Sequence, residues 1–109
     1  DPSALFAAAD LVIGTPGVTT LELCVLGVPM ILLVLRDIQT ELGEALTGRG
    51  CARVFTLDSG AADAIARALG ELAQPGVLGA MSAAAAATTD GRGAVRIAEG
   101  LAAIWREAA

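Results

Sequence analysis

No histidine, lysine or tyrosine occurs among the 109 residues, and aromatic side chains make up only 3% of them. Without histidine, and with Cys24 and Cys51 as the sole thiols, a zinc site or a Cys-His or Ser-His nucleophilic pair within the chain is excluded. Those two isolated thiols, one on an apolar helix and one at a strand entrance, are expected to be buried and reduced, as in a cytoplasmic protein. Every basic residue is an arginine, and none are concentrated in one segment. With 7 basic residues against 12 acidic ones the net charge is -5, which argues against a nucleic-acid footprint. The longest apolar run, Val25 to Leu35, is broken by Gly27 and Pro29 and is far shorter than a membrane span. No signal-peptide pattern opens the chain. Neither an internal repeat nor a flexible linker is visible.

What remains is aliphatic. Hydrophobic residues make up 55% of the chain, so the core must be built from Leu, Val, Ile and much Ala. A chain of this length is one domain or a piece of one, and it buries roughly two-thirds of its unfolded surface.

The stretch from Leu11 to Pro29, LVIGTPGVTTLELCVLGVP, organises the rest. An apolar strand, Leu11 to Ile13, meets a turn of Gly14, Thr15, Pro16 and Gly17. A helix then opens on Val18 and runs to Leu26, and a second strand, Met30 to Leu35, follows. In such a unit the N–H groups that start the helix point toward the carboxyl edge of a parallel sheet, where an anion such as a diphosphate can be held. A glycine-rich turn of this kind has two readings: it lets the chain reverse, or it cradles phosphate.

Ala4 to Ala9 is predicted to be a short helix, with Pro2 in its first turn and Asp1 or Ser3 as its cap. The non-alternating first strand reads as buried on both faces. Leu21, Cys24 and Val25 mark the expected packing face of the second helix, which stops at Gly27. After the second strand, Arg36-Asp37-Ile38-Gln39 forms a loop on the same sheet edge as the glycine turn. Thr40 to Thr47 is a helix closed by Gly48 and Gly50, and Ala52 to Leu57 a third strand. Asp58-Ser59-Gly60 caps a helix over Ala61 to Leu72, with Ala64, Ile65, Ala68 and Leu69 at helical spacing. Pro75-Gly76 begins a helix that enters the Ala83 to Ala87 run, where close helix packing explains the alanines. Thr88 to Gly91 ends it. The last helix, Gly93 to about Glu107, carries an apolar stripe of Val95, Ile97, Ala98, Leu101, Ile104 and Trp105.

Strands and helices therefore alternate with short connections, the pattern of an α/β parallel sheet with helices on both faces. Three strands leave two open edges, so residues 1–109 read as one partial Rossmann-like domain, the distal part of something larger.

The segments ALFAAADLVIG, GVTTLELCVLGVPMILL, the DIQ after the second strand, GRGCARVF and TDGRGAVRIAEGL resemble the C-terminal domain of GT-B nucleotide-sugar enzymes. The likeness is closest to the UDP-sugar hydrolase of pseudaminic acid biosynthesis and to spore coat polysaccharide biosynthesis proteins. It is more distant to the N-acetylglucosaminyltransferase that forms lipid II. The likeness spans nearly all of this chain but only about the last third of such an enzyme.

The resemblance implies a UDP-sugar hydrolase or glycosyltransferase of cell-surface polysaccharide biosynthesis, with UDP-sugar as ligand and neither cofactor nor metal. It assigns the diphosphate to Thr15, Gly17, Val18 and Thr19, the ribose hydroxyls to Glu22, and the sugar to Asp37 and Gln39. A carboxylate suits two vicinal hydroxyls because it only accepts and has two oxygens; read without the resemblance, Glu22 is a solvated helix residue. The family more often has Ser where Val18 stands, a lost hydroxyl for which Thr19 and Thr20 are candidate substitutes. The catalytic base is expected from a separate N-terminal domain, so the catalytic residues are not identified and this chain alone is expected to be inactive. A different expectation is a non-catalytic folded fragment, a homo-oligomer that buries its sheet edge and Trp105 stripe against a copy of itself.

Overall fold

The computed structural model describes residues 2–108. Nine regular elements follow one another with short connections: α1 Pro2–Ala8, β1 Val12–Gly14, α2 Val18–Leu26, β2 Met30–Val34, α3 Thr40–Gly48, β3 Ala52–Thr56, α4 Ala61–Leu72, α5 Val77–Ala86 and α6 Gly93–Ala108. A 3-10 turn, Asp37–Gln39, leads from β2 into α3. The expected cap at Asp1 lies outside the described residues, as does the side chain of Ser3.

The three strands form one parallel sheet in the order β1-β2-β3. Val12 pairs with Met30 and Gly14 with Leu32, while β2 matches β3 from Met30↔Ala52 to Val34↔Thr56. Parallel neighbours need crossovers, and each crossover here is a helix. The architecture is thus α/β and compatible with a Rossmann-like fold.

Alternation along β2 divides the core. Met30 and Leu32 point to one face, where they meet Leu23, Cys24, Leu46 and Cys51 beneath α2 and α3. Ile31 points to the other, against Ala68, Leu72 and Met81 of α4 and α5. The central strand is covered on both sides, which explains its unbroken apolar run.

The edge strand β1 differs from expectation. Ile13 is half exposed, because the helices that cover its in-register neighbour Ile31 do not extend over this edge. The packing face of α2 is also rotated from the expected one. Thr20, Leu23 and Cys24 are buried, whereas Leu21 and Val25 are about half exposed. Apolar residues lie nearly all round this helix, so periodicity could not choose its face; the packing of Leu23 and Cys24 against Met30, Leu32 and Ala85 did. On α4 the buried line is Ala61, Ala68 and Leu72, with Leu69 turned outward.

The alanine run of α5 packs where side chains have little room. Ala85 is fully buried, and Ser82 Oγ donates a 2.6 Å hydrogen bond to the Gly27 carbonyl at the end of α2. Gly27 itself has φ +68°, the left-handed cap that glycine adopts without steric cost. Cys24 and Cys51 are both free and buried. Burial, with Cys51 beside it, pushes the Cys24 thiol up to about 11.

No residue of α6 is buried among those described, and its large apolar side chains face solvent. The molecule accordingly measures 60 × 30 × 28 Å with a radius of gyration of 16.5 Å, against about 13 Å for a compact chain of this length. No helix among the described residues is long and apolar enough to cross a membrane.

Candidate functional site

Because the sheet is parallel, β1 and β2 deliver their following loops to the same carboxyl edge. The turn Thr15-Pro16-Gly17 and the segment Arg36 to Gln39 therefore share one side of the molecule. Ligands of open α/β sheets gather at this edge, because strand ends and helix starts converge on it.

The turn is held from within. Pro16 is buried, and the Thr20 hydroxyl donates to the Gly17 carbonyl. The Gly17 N–H approaches Thr20 Oγ1 at 3.4 Å, and the Thr20 N–H bonds the Gly17 carbonyl at 3.1 Å. The hydroxyl proton of Thr20 is thereby committed to the fold. That leaves the N–H groups of Val18 and Thr19 without an acceptor among the described residues. Unpaired amides in the first turn of a helix attract anions, both by direct hydrogen bonds and through the helix dipole.

Gly14 and Gly17 distinguish the two readings of the turn. Neither lies in the left-handed region, Gly17 being extended at φ 173°, and a Cβ on either would meet nothing within 4 Å. Neither backbone conformation nor packing requires glycine at these two positions. Gly27, Gly50, Gly76 and Gly91, in contrast, all have φ between +68° and +85°. Both glycines instead face open space. That space is a cavity of about 300 Å³ lined by Phe6, Gly14, Thr15, Gly17, Thr19 and Thr20, with Leu23 and Leu32 among its deeper walls.

Of the residues expected at the site, Thr15, Gly17 and Thr19 line this cavity. Val18 is exposed and does not line the cavity. Glu22 lies one turn further along α2, on the outward side opposite the buried Thr20 and Cys24, and does not line the cavity. Asp37 is exposed at the start of the 3-10 turn. Gln39 is engaged locally: its Oε1 accepts from the N–H groups of Leu35 at 2.9 Å and Arg36 at 3.2 Å. This latch closes the loop that presents Asp37, and it leaves only the side-chain amide nitrogen of Gln39 for a ligand.

Arg36 was not among the expected residues. It is the first residue beyond the strand exit at Leu35 and the only basic one in the first 48 positions. Its guanidinium is exposed and forms no ion pair among the described residues.

A larger groove, about 530 Å³, lies between α3 and the edge of β3. Its polar walls are Thr40, Thr47, Thr56 and the carboxylate of Glu44, whose negative charge does not suit an anion. Family models, curated proteins and solved structures, compared with this chain, return no match.

Proposed function

We propose that this chain supplies the diphosphate- and ribose-binding part of a UDP-sugar site, in a nucleotide-sugar hydrolase or glycosyltransferase of cell-surface polysaccharide biosynthesis. The observation that supports the reading is the pair of unpaired amides at Val18 and Thr19, at the head of the helix whose Thr19 and Gly17 line an open cavity. An anion seated there accepts from both N–H groups and from the Thr19 hydroxyl. Arg36 and the loop at Asp37 stand on the same sheet edge, where a charged phosphate and a sugar bearing hydroxyls extend beyond the helix head.

Glu22 follows from the same placement. A nucleoside running outward from the diphosphate passes along the exposed side of α2, where a carboxylate accepts from two vicinal ribose hydroxyls. Chemistry at the sugar-to-phosphate linkage leaves negative charge on the departing diphosphate. Fixed N–H dipoles at the helix head stabilise that charge without reorganising. The attacking group and its base come from a separate N-terminal domain in this reading.

Amide hydrogen exchange with and without UDP tests it. Protection confined to the Gly17–Glu22 segment and the loop after β2, absent with uridine alone, is the expected result. Equal exchange in all three samples removes the site.

A further inference from the structure

The one ion pair among the described residues joins Arg96 to Asp90. Arg53 and Arg67 have no such partner there, and the fold brings both to a single cavity. Arg53 stands opposite Ile31 in the parallel register, so its side chain leaves the sheet on the face that carries α4 and α5. Arg67 follows Ala64 by three residues on α4 and precedes Glu71 by four, which puts all three on one side of that helix. The cavity between β3 and α4 holds about 340 Å³; Phe55, Ala64 and Ala68 are its apolar walls, and Glu71 is its one carboxylate. On its other side Arg53 borders a groove lined otherwise by glycine, proline and apolar side chains, so no second carboxylate reaches it from there.

Two cations that share a cavity repel each other, and an anion placed between them turns the repulsion into attraction. Arg53 is partly buried, where water and salt screen its charge less than at an open surface. Glu71 opposes one of the two charges but forms a salt bridge with neither arginine.

We infer that this cavity is a second oxyanion site, which takes a phosphate monoester of a compact apolar group. One guanidinium comes from a strand and the other from a helix, so they approach a ligand from different sides. A carboxylate is satisfied by a single arginine fork, whereas a phosphate dianion has enough oxygens to accept from two. The walls at Phe55, Ala64 and Ala68 cover the organic part of the ester. The site lies against β3, the edge strand opposite β1, and shares no residue with the cavity at the head of α2, so it stands independently of the nucleotide reading.

A ¹⁵N chemical-shift titration with phenyl phosphate and with inorganic phosphate, at constant ionic strength, tests this. Both should give saturable shifts at the amides of residues 53–55 and 64–71, and phenyl phosphate should bind more tightly. Arg53→Gln and Arg67→Gln should each weaken binding about tenfold, as expected for loss of a charge-assisted hydrogen bond. Glu71→Gln, which removes the one opposing charge, should tighten binding about two- to threefold. Arg106→Gln, in the last turn of α6, should change nothing. Arg67 and Glu71 are exposed, so their variants test the site even where Arg53→Gln disturbs the strand. Absence of saturable shifts at these residues overturns the proposal, as do shifts confined to Gly17–Thr19. Equal weakening by Arg106→Gln would mean diffuse attraction and overturns it as well. Binding unaltered by Arg67→Gln overturns the two-arginine site and leaves Arg53 as a charge that blocks strand pairing at an open sheet edge.

Discussion

Placing a carboxylate at the head of α2 separates a ligand site from a turn that only reverses the chain. Thr19 is the second residue of the helix, exposed, and on the wall of the cavity. Thr19→Asp puts a negative charge beside unpaired amides, which favours the helix by about 0.3–1 kcal/mol through its dipole. For a domain of this size that raises Tm by about 2–5 °C. The same carboxylate would stand about 5 Å from a diphosphate bound to those amides. At an effective dielectric constant near 20 the repulsion is roughly 3 kcal/mol per unit charge, falling to about 1–2 kcal/mol once salt screens it. UDP affinity should then drop about tenfold or more while the protein becomes more stable. The assay is a ¹⁵N chemical-shift titration with UDP, following Gly17, Val18 and Thr19, together with a thermal melt of the same samples. Unchanged UDP affinity, with the stabilisation present, would refute the claim that the helix head binds phosphate. Lost affinity accompanied by a lower Tm would mean that the substitution damaged the fold, and Thr19→Glu would then decide.

Other expectations can be checked in parallel. Glu22→Ala should weaken UDP binding by about 1–3 kcal/mol, the cost of losing a charged hydrogen bond, with no change in Tm because Glu22 faces solvent; the same titration reads it. Gln39→Ala removes the latch on the Leu35 and Arg36 amides, so amide exchange across residues 35–39 should accelerate while the exchange of β2 stays slow. Leu32 is fully buried in the central strand, and Leu32→Ala should cost about 2–5 kcal/mol in urea unfolding. The Cys24 thiol, raised from 9.0 to about 11, favours the folded state while neutral. Its contribution is complete below pH 9 and is lost as pH rises toward 11, a fall of about 2 kcal/mol that Cys24→Ala should flatten in alkaline urea titrations.

Much of the layout was legible from residue order alone. The helix over Val18–Leu26 and the one over Ala61–Leu72 fall where Gly27, Asp58 and Gly60 punctuate the chain. The three parallel strands follow from apolar runs that alternate with amphipathic segments. Punctuation is a local property, set by φ preferences and by who can cap a helix end, so a single sequence carries it. The glycine turn and the loop after β2 were legible as neighbours for the same reason: parallel strands fix which edge their loops occupy.

What the chain order does not encode is which side of an element meets the core. On α2, Leu21 and Val25 are as apolar as Leu23, yet Leu23 is buried and the other two are half exposed. That choice is made by the contact of α2 with β2 and α5, between residues far apart in sequence. The exposure of Ile13 on an open sheet edge, the local commitment of Thr20 and Gln39, and the unpartnered face of α6 are decided in the same way. Composition and spacing determine which segments are helix, strand or turn, because those are nearest-neighbour energies. Only the tertiary fold decides which amides stay free and which hydrophobic faces stay bare, because each depends on what the rest of the chain brings against it.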